Sequence, residues 1–220
     1  MRVSFKTTVA LGLLIGSSGA LASDLSPPYK APTAAPIYNW TGLYAGVNAG
    51  YGWATGSVNG FVGGGQLGYN WQTGNFVFGV ETDFQASGQQ QTTTATGAGV
   101  TITETDKASW LGTTRLRAGW AADRWFFYGT GGVAYANLRE DGTASGALVG
   151  PYSGSNTLLG WTAGGGVEAA LVGKWTAKVE YLYASFGSFS NTYTVTGGAF
   201  TVNYPRVEEN IVRAGLNYRF

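Results

Sequence analysis

The sequence predicts an all-β fold: a transmembrane antiparallel up-and-down β-barrel of eight strands. Three observations predict it. Eight segments alternate residue by residue between an apolar and a polar face, aromatic residues stand at both ends of the apolar faces, and short connections alternate with long ones along the chain. Alternation with a period of two is typical of strands whose two faces have different surroundings.

The composition narrows the class of protein further. Only 11% of the 220 residues are charged, whereas 15% are aromatic and 36 are glycine. Soluble domains carry roughly 25% charged residues, so this chain has too little charge for an ordinary solvated surface. No apolar run reaches the roughly 18 residues of a transmembrane helix. The net charge of +1 gives no reason to expect nucleic acid as a partner.

The N-terminus predicts export. Arg2 and Lys6 are followed by an apolar run over residues 9–15 and by a small-x-small sequence that ends at Ala22. This order predicts a cleavable signal peptide over residues 1–22. A membrane anchor is the alternative, and the apolar run is short for one.

A proline-rich segment separates the predicted signal peptide from the alternating pattern. Residues 23–39 contain four of the six prolines, which resist both helix and strand pairing. We expect a flexible periplasmic lead-in there and the barrel over residues 40–220. The chain contains no cysteine, which suits passage through an oxidising compartment.

Each predicted strand shows the same two-faced pattern over about 9–11 residues, enough to cross a membrane obliquely. In the third strand, for example, Phe76, Phe78 and Val80 lie on one face, and Glu81 and Asp83 lie on the other. The eight segments, in chain order, are 42–53, 61–71, 76–85, 110–120, 125–135, 159–168, 175–183 and 212–220.

Charged residues within these strands fall on the polar face only. They are Glu81, Asp83, Arg115, Arg117, Glu168, Lys178, Glu180, Arg213 and Arg219. An eight-stranded barrel has an interior just wide enough for its own side chains, and buried charges there must pair. We expect pairs of Glu81 and Asp83 with Arg115 and Arg117, of Glu180 with Arg213, and of Glu168 with Lys178. The sequence therefore predicts a salt-bridged plug, and a narrow pore lined by the same charges is the alternative.

Aromatic residues on the apolar faces stand near the strand ends, while smaller residues such as Val80, Leu116 and Val179 stand at mid-strand. Two aromatic girdles around an apolar band suit a bilayer with two interfaces. A soluble sandwich is the alternative fold, and it would place its largest side chains at mid-strand. The principal girdle residues are Trp53, Trp71, Phe76, Trp110, Trp120, Trp125, Trp161 and Trp175.

The connections differ in length on the two sides of the predicted barrel. Short turns are expected at residues 72–75, 121–124 and 171–174, and long loops at 86–109, 138–157 and 184–211; only 54–60 is a brief connection on the long side. Short periplasmic turns and longer extracellular loops are typical of outer-membrane barrels. Closure is required because an open sheet edge in hydrocarbon would leave backbone groups unpaired.

The chain ends on an alternating strand with Tyr218 and the terminal Phe220, which resembles the signal read by the outer-membrane barrel assembly machinery. The segment WTGLYAGVNAGYG from Trp40 resembles the opening of the small outer-membrane β-barrel family of alpha-proteobacteria. That family includes major surface antigens, often described as porin-family proteins, with an architecture like that of the OmpA transmembrane barrel. Further matches in the same order are GGQLGYNWQ from Gly64, FGVETD from Phe78, GGVAY from Gly131 and VEYLY from Val179.

The resemblance implies a location in the cell outer membrane of a Gram-negative bacterium. It also implies partners: outer-membrane lipid and lipopolysaccharide around the barrel, the assembly machinery during biogenesis, and an extracellular partner that the loops could contact. The loops themselves carry no recognisable motif.

Catalysis finds little support in the sequence. The chain contains no histidine and no cysteine, so the usual general base, thiol nucleophile and commonest metal ligands are absent. Glu81 and Asp83 could in principle act as acid and base, but structural partnership with the arginines is the simpler interpretation. We predict no cofactor and no enzyme. Three hypotheses stay open: a structural or antigenic barrel, a narrow porin, and a surface receptor or adhesin acting through its loops.

Overall fold

The computed structural model describes residues 38–55 and 58–220. The predicted signal peptide and all but the last two residues of the predicted lead-in lie outside the described residues. The described part contains ten strands: β1 (Gly42–Ala54), β2 (Asn59–Thr73), β3 (Phe76–Gly97), β4 (Val100–Ala122), β5 (Trp125–Gly146), β6 (Gly150–Ala170), β7 (Trp175–Phe186), β8 (Phe189–Val195), β9 (Gly198–Tyr204) and β10 (Val207–Arg219).

Eight of these strands close into one antiparallel barrel, in the order β1-β10-β7-β6-β5-β4-β3-β2. The first and last strands pair in register from Tyr44↔Arg219 to Ala54↔Glu209, so the sheet has no free edge. The predicted eight-stranded up-and-down barrel is thereby confirmed. The remaining two strands, β8 and β9, form a separate hairpin. In the described ranges, no helix is long and apolar enough to span a membrane.

The two faces of the barrel wall have opposite character. Large apolar side chains point outward, and Val47, Phe61 and Leu116 are 63%, 78% and 70% exposed. Charged side chains point inward, and Glu81 and Arg115 are at most 1% exposed. A soluble sandwich has the reverse arrangement, whereas an apolar exterior suits contact with lipid.

The girdle residues stand on the outward face at two heights. Trp71, Phe76, Trp120, Trp125 and Trp175 lie beside the short turns, and each is about half exposed. Neighbouring strands bring them into contact, as in the edge-to-face pair of Phe76 and Trp120, whose ring centroids are 4.8 Å apart. The outer set, Trp53, Trp110 and Trp161, lies toward the opposite end.

The long connections lie on the predicted side of the barrel, but two of the three are continued strands and not irregular loops. Strand β3 pairs with β4 as far as Gly97↔Val100, and β5 pairs with β6 as far as Ala144↔Gly150. These four strands have 21 to 23 residues, about 70 Å of extended chain and roughly twice what a membrane crossing needs. We call the parts beyond the outer girdle the extracellular extension.

Threonine chemistry explains why these segments are strands. Threonine is β-branched and favours extended backbone, although a Thr-rich composition suggests a loop at first sight. In the β3–β4 hairpin the hydroxyls meet in cross-strand pairs at 3.0 to 3.2 Å: Thr92 with Thr105, Thr94 with Thr103 and Thr96 with Thr101. Such pairs stabilise a two-stranded ribbon. The third predicted loop, residues 184–211, likewise contains the β8–β9 hairpin.

The extension begins at two irregularities in strand pairing. The register between β3 and β4 shifts between Ala86 and Gln89, and the register between β4 and β5 shifts between Ala108 and Trp110. Bulges of this kind bend a strand and increase its twist. Both lie at the height of the outer girdle, beside Trp110.

We expect Leu116→Arg to impair assembly, because Leu116 faces outward near mid-strand and a charge at the bilayer midplane costs about 2–4 kcal/mol. Heat-dependent gel mobility of the membrane fraction measures the folded share. Thr94→Arg is the matched control, because Thr94 is exposed in the extension. Equal folded yields for the two variants would contradict the outward-facing assignment of Leu116.

Candidate functional site in the barrel lumen

Eight charged side chains meet inside the barrel. Strands β3 and β4 supply Glu81, Asp83, Arg115 and Arg117, and β6, β7 and β10 supply Glu168, Lys178, Glu180 and Arg213. All are buried. Alternation with a period of two places them on one face, and the register of neighbouring strands sets them at similar heights. Four carboxylates stand against four bases, so the cluster, called here the charged layer, is neutral.

Arg115 pairs with three carboxylates of the charged layer. Its Nη2 atom lies 2.5 Å from Glu81 Oε1 and 3.0 Å from Asp83 Oδ2, and its Nη1 atom lies 3.1 Å from Glu180 Oε2. One guanidinium therefore binds carboxylates from two strands, with the fork geometry that suits several simultaneous hydrogen bonds.

The other three bases connect the remaining strands across the lumen. Arg117 contacts Glu81 at 3.2 Å and Glu168 at 2.6 Å. Lys178 Nζ lies 2.8 Å from Glu81 and 3.1 Å from Glu180. Arg213 contacts Asp83 at 2.9 Å and Glu180 at 2.7 Å. Every carboxylate of the layer thus contacts at least one base.

Neutral groups add further hydrogen bonds to these charges. The Tyr44 hydroxyl donates to Glu81 at 2.7 Å, the Thr113 hydroxyl donates to Asp83 at 2.6 Å, and Asn217 donates to Glu168 at 2.9 Å. Glycine at position 68 is required beside them, because a Cβ atom there would overlap the Tyr44 ring. Buried charges persist only where partners replace the lost water, and this layer supplies them.

Two details of the sequence interpretation were wrong. Glu168 and Lys178 are cross-strand neighbours but form no ion pair: Lys178 reaches Glu81 and Glu180, while Glu168 binds Arg117. In a narrow lumen, long side chains meet the opposite wall as readily as the adjacent strand. Arg219 shares the inward face but lies apart from the charged layer, where it donates to the Thr41 carbonyl at 2.7 Å.

Two apolar layers enclose the charged layer. On the side of the short turns, Trp40 is fully buried against Phe126, with 5.4 Å between ring centroids, and Val77 and Ala121 pack beside them. The backbone N–H of Trp40 donates to Gln72 Oε1 at 2.6 Å and fixes the chain across this end. On the other side the apolar layer consists of Val62, Leu111, Ala134, Ala136, Leu158, Leu182, Ala184, Phe186 and Ile211.

These apolar layers were missed in the sequence, although a signal exists. Leu111 follows Trp110, Leu158 precedes Leu159 and Ile211 precedes Val212. Two consecutive apolar residues in an alternating strand mean that both faces are apolar at that height. Several such pairs on different strands mark a closed apolar layer inside the barrel.

The mouth above the outer apolar layer is acidic and tyrosine-rich. Tyr152 and Tyr204 both donate to Glu104, at 2.8 and 2.5 Å, and Tyr193 donates to Glu140 at 3.2 Å. The β8–β9 hairpin supplies Tyr193 and Tyr204 and so docks against the extension. Within the described ranges, no three Asp or Glu residues are grouped so as to hold a metal ion.

A closed barrel with an apolar exterior and a paired charged interior defines an integral outer-membrane barrel protein. The family model for the outer membrane protein beta-barrel domain matches residues 8–220. The chain belongs to this family of outer-membrane β-barrel proteins, and its location is the outer membrane. The resemblance inferred from the sequence motifs is thereby confirmed.

The chain is similar to several named outer-membrane proteins. It is 38% identical to the 31 kDa outer-membrane immunogenic protein of Brucella melitensis, over 93% of this chain and 95% of that protein. It is 31% identical to a 22 kDa outer membrane protein of Rhizobium leguminosarum, over 84% and 80% of the two chains. The crystal structure of a major outer membrane protein from Thermus thermophilus shares the fold, with a TM-score of 0.50 at 15% identity, over 81% of this chain and 99% of that one.

We expect Lys178→Met to destabilise the barrel by about 3–5 kcal/mol, because the variant removes a buried cation that pairs with Glu81 and Glu180. The urea midpoint of the folded fraction, followed by gel mobility, measures the change. Adding Glu81→Gln restores neutrality, so the double variant should lose less stability than the sum of the single variants.

Lys107→Met is the matched control for Lys178→Met. Lys107 is 45% exposed and lies 3.9 Å from Asp141, an arrangement worth about 0–1 kcal/mol. Equal urea midpoints for the two methionine variants would contradict the structural role of the charged layer.

Proposed function

We propose that the protein is a structural outer-membrane barrel, closed to solutes, that presents its extracellular extension to the surroundings. The observation that carries this proposal is the layered lumen: a neutral charged layer between two apolar layers. An aqueous channel needs a wettable path, and eight-stranded barrels seldom leave one. Trp40 and Phe126 on one side, and Leu111 and Phe186 on the other, favour a lumen without such a path.

The extension supports a role at the cell surface. It continues the β3–β4 and β5–β6 pairs well beyond the outer girdle, and its exposed residues are mostly threonine, serine and glycine. Ordered ribbons of this kind are suited to contact with antibodies or another cell-surface partner. The relatives named immunogenic outer-membrane proteins agree with such presentation. A receptor or adhesin role would use this same surface.

The proposed role is not catalytic. Glu81 and Asp83, the candidate acid and base, are held by Arg115, Arg117, Lys178 and Arg213. A carboxylate fixed between cations is a weak general base. Relatives that are 30% to 38% identical are named as outer-membrane proteins, most of them immunogenic, and not as enzymes.

Export and assembly complete the proposal. Cleavage after Ala22 would release the mature chain, and residues 23–39 would remain periplasmic. The barrel assembly machinery would read the last strand, where Tyr218 packs edge-to-face on Phe220 with 5.6 Å between ring centroids. Lipid and lipopolysaccharide would surround the outward face.

We expect the purified protein to show no resolvable conductance steps in planar lipid bilayers, because its lumen is filled. Heat-dependent gel mobility verifies folding of each sample, and a wide porin inserted in parallel verifies that the bilayers accept channels. Steady channels whose conductance changes in Arg115→Ala would contradict closure and identify a narrow porin. A silent, folded barrel would support the structural role.

A further inference from the structure

A cavity opens at the extracellular mouth, directly above the outer apolar layer. Its volume is about 220 Å³, several times the roughly 30 Å³ that one water molecule occupies. Apolar side chains from five barrel strands and the β8–β9 hairpin form much of its wall: Leu111, Leu138, Leu158, Phe186, Phe189 and Val207. An apolar wall of this extent favours a small organic molecule over water or a bare ion.

Glu209 brings a buried carboxylate to this cavity. It is 4% exposed, and its Oε1 atom accepts one hydrogen bond from Gln89 Nε2 at 2.9 Å. In the part of the chain that the structure describes, no lysine or arginine pairs with it. The charged layer below differs in this respect, because each of its carboxylates contacts a base. Burial without a counter-ion is costly for a carboxylate, and a cationic ligand would relieve that cost.

A second observation points to the same ligand chemistry. Three further residues that line the cavity carry buried acceptor oxygens without a hydrogen-bond donor: Gln91 Oε1, Asp106 Oδ1 and Glu140 Oε1. Asp106 lies in the extension, where burial and the neighbouring Glu104 carboxylate raise its pKa to about 7. Acceptors without donors in a native structure call for an explanation, and a ligand that donates hydrogen bonds would supply one.

The bases near the cavity do not serve these acceptors. Lys107 lies 3.9 Å from Asp141, and Arg206 is exposed. Both bases also line the cavity, but its three carboxyl side chains, those of Asp106, Glu140 and Glu209, outnumber them, so the cavity keeps an excess of acceptors and negative charge. Phe186, Phe189 and Tyr204 add aromatic rings to the lining, and such rings attract organic cations.

We propose that this cavity is a binding site for a small organic ammonium compound with an apolar body. The ammonium group donates hydrogen bonds to the acceptors and balances Glu209, while the body covers Leu111, Leu138 and Leu158. The extracellular mouth thereby has a ligand of defined chemical class. Binding at this site does not depend on whether the lumen below conducts.

The test compares two probes of the same shape, 2-phenylethylamine and 2-phenylethanol. The full protein, purified in detergent and labelled with ¹³C in its leucine and valine methyl groups, is titrated at about pH 8, where an alkyl amine is protonated. We expect saturable shifts of the methyl signals of Leu111, Leu138, Leu158 and Val207. The Kd of the amine should be at least about tenfold lower than the Kd of the alcohol.

Two isosteric variants distinguish binding of the probes in the cavity from unspecific partitioning of the probes into detergent. Glu209→Gln should abolish the preference for the amine and leave alcohol binding unchanged. Glu208→Gln is the matched control, because it removes the same charge from the neighbouring exposed residue, which does not line the cavity. A Leu138→Phe variant, which narrows the cavity, should weaken both probes.

Several results would overturn the proposal. Equal affinities for amine and alcohol in the unaltered protein would show that charge plays no part. An equal loss of preference in Glu208→Gln and Glu209→Gln would place the effect outside the cavity. Absence of shifts at all four methyl positions, in protein whose folding is verified by gel mobility, would show that the cavity binds neither probe.

Discussion

The structure depends on the need to neutralise charge inside a narrow barrel. Eight ionised side chains lie out of reach of water, and moving such ions into a protein interior costs several kcal/mol each unless partners replace the solvent. Four acids and four bases satisfy that need together. Since Glu81 contacts bases from β4 and β7, and Asp83 contacts bases from β4 and β10, the ion pairs also tie the walls of the barrel to one another.

The two apolar layers act together with the charged layer. They exclude water from both ends of it, and ionic interactions are stronger where water is absent. Trp40 illustrates the arrangement, because it precedes the first strand and nevertheless lies fully buried in the lumen. The outer apolar layer has a second consequence. Several of its residues also line the base of the extracellular cavity, where acids outnumber bases.

Much of the fold follows from alternation in the sequence. The period of two fixed which residues face inward, so Glu81, Arg115 and Lys178 could be assigned to one face of the wall. Alternation does not reveal which residues meet across the lumen, because that depends on strand tilt and on the height of each residue. Lys178 therefore finds Glu81 on the opposite side and not its neighbour Glu168, and Arg219 lies beyond the reach of the acids. Composition does not reveal the extension, because threonine-rich segments also occur as loops, and the cross-strand pairing of these threonines exists only in three dimensions.

The most direct test of a closed lumen uses the natural absence of cysteine. Thr162→Cys places a thiol in the lumen, where the threonine is 2% exposed, and Thr96→Cys places one at the exposed tip of the β3–β4 hairpin. The rate of reaction with a small charged methanethiosulfonate is measured for both in folded, membrane-inserted protein. Closure predicts rapid labelling of Thr96→Cys and labelling of Thr162→Cys only after unfolding. Similar rates for the two thiols in the folded barrel would contradict it.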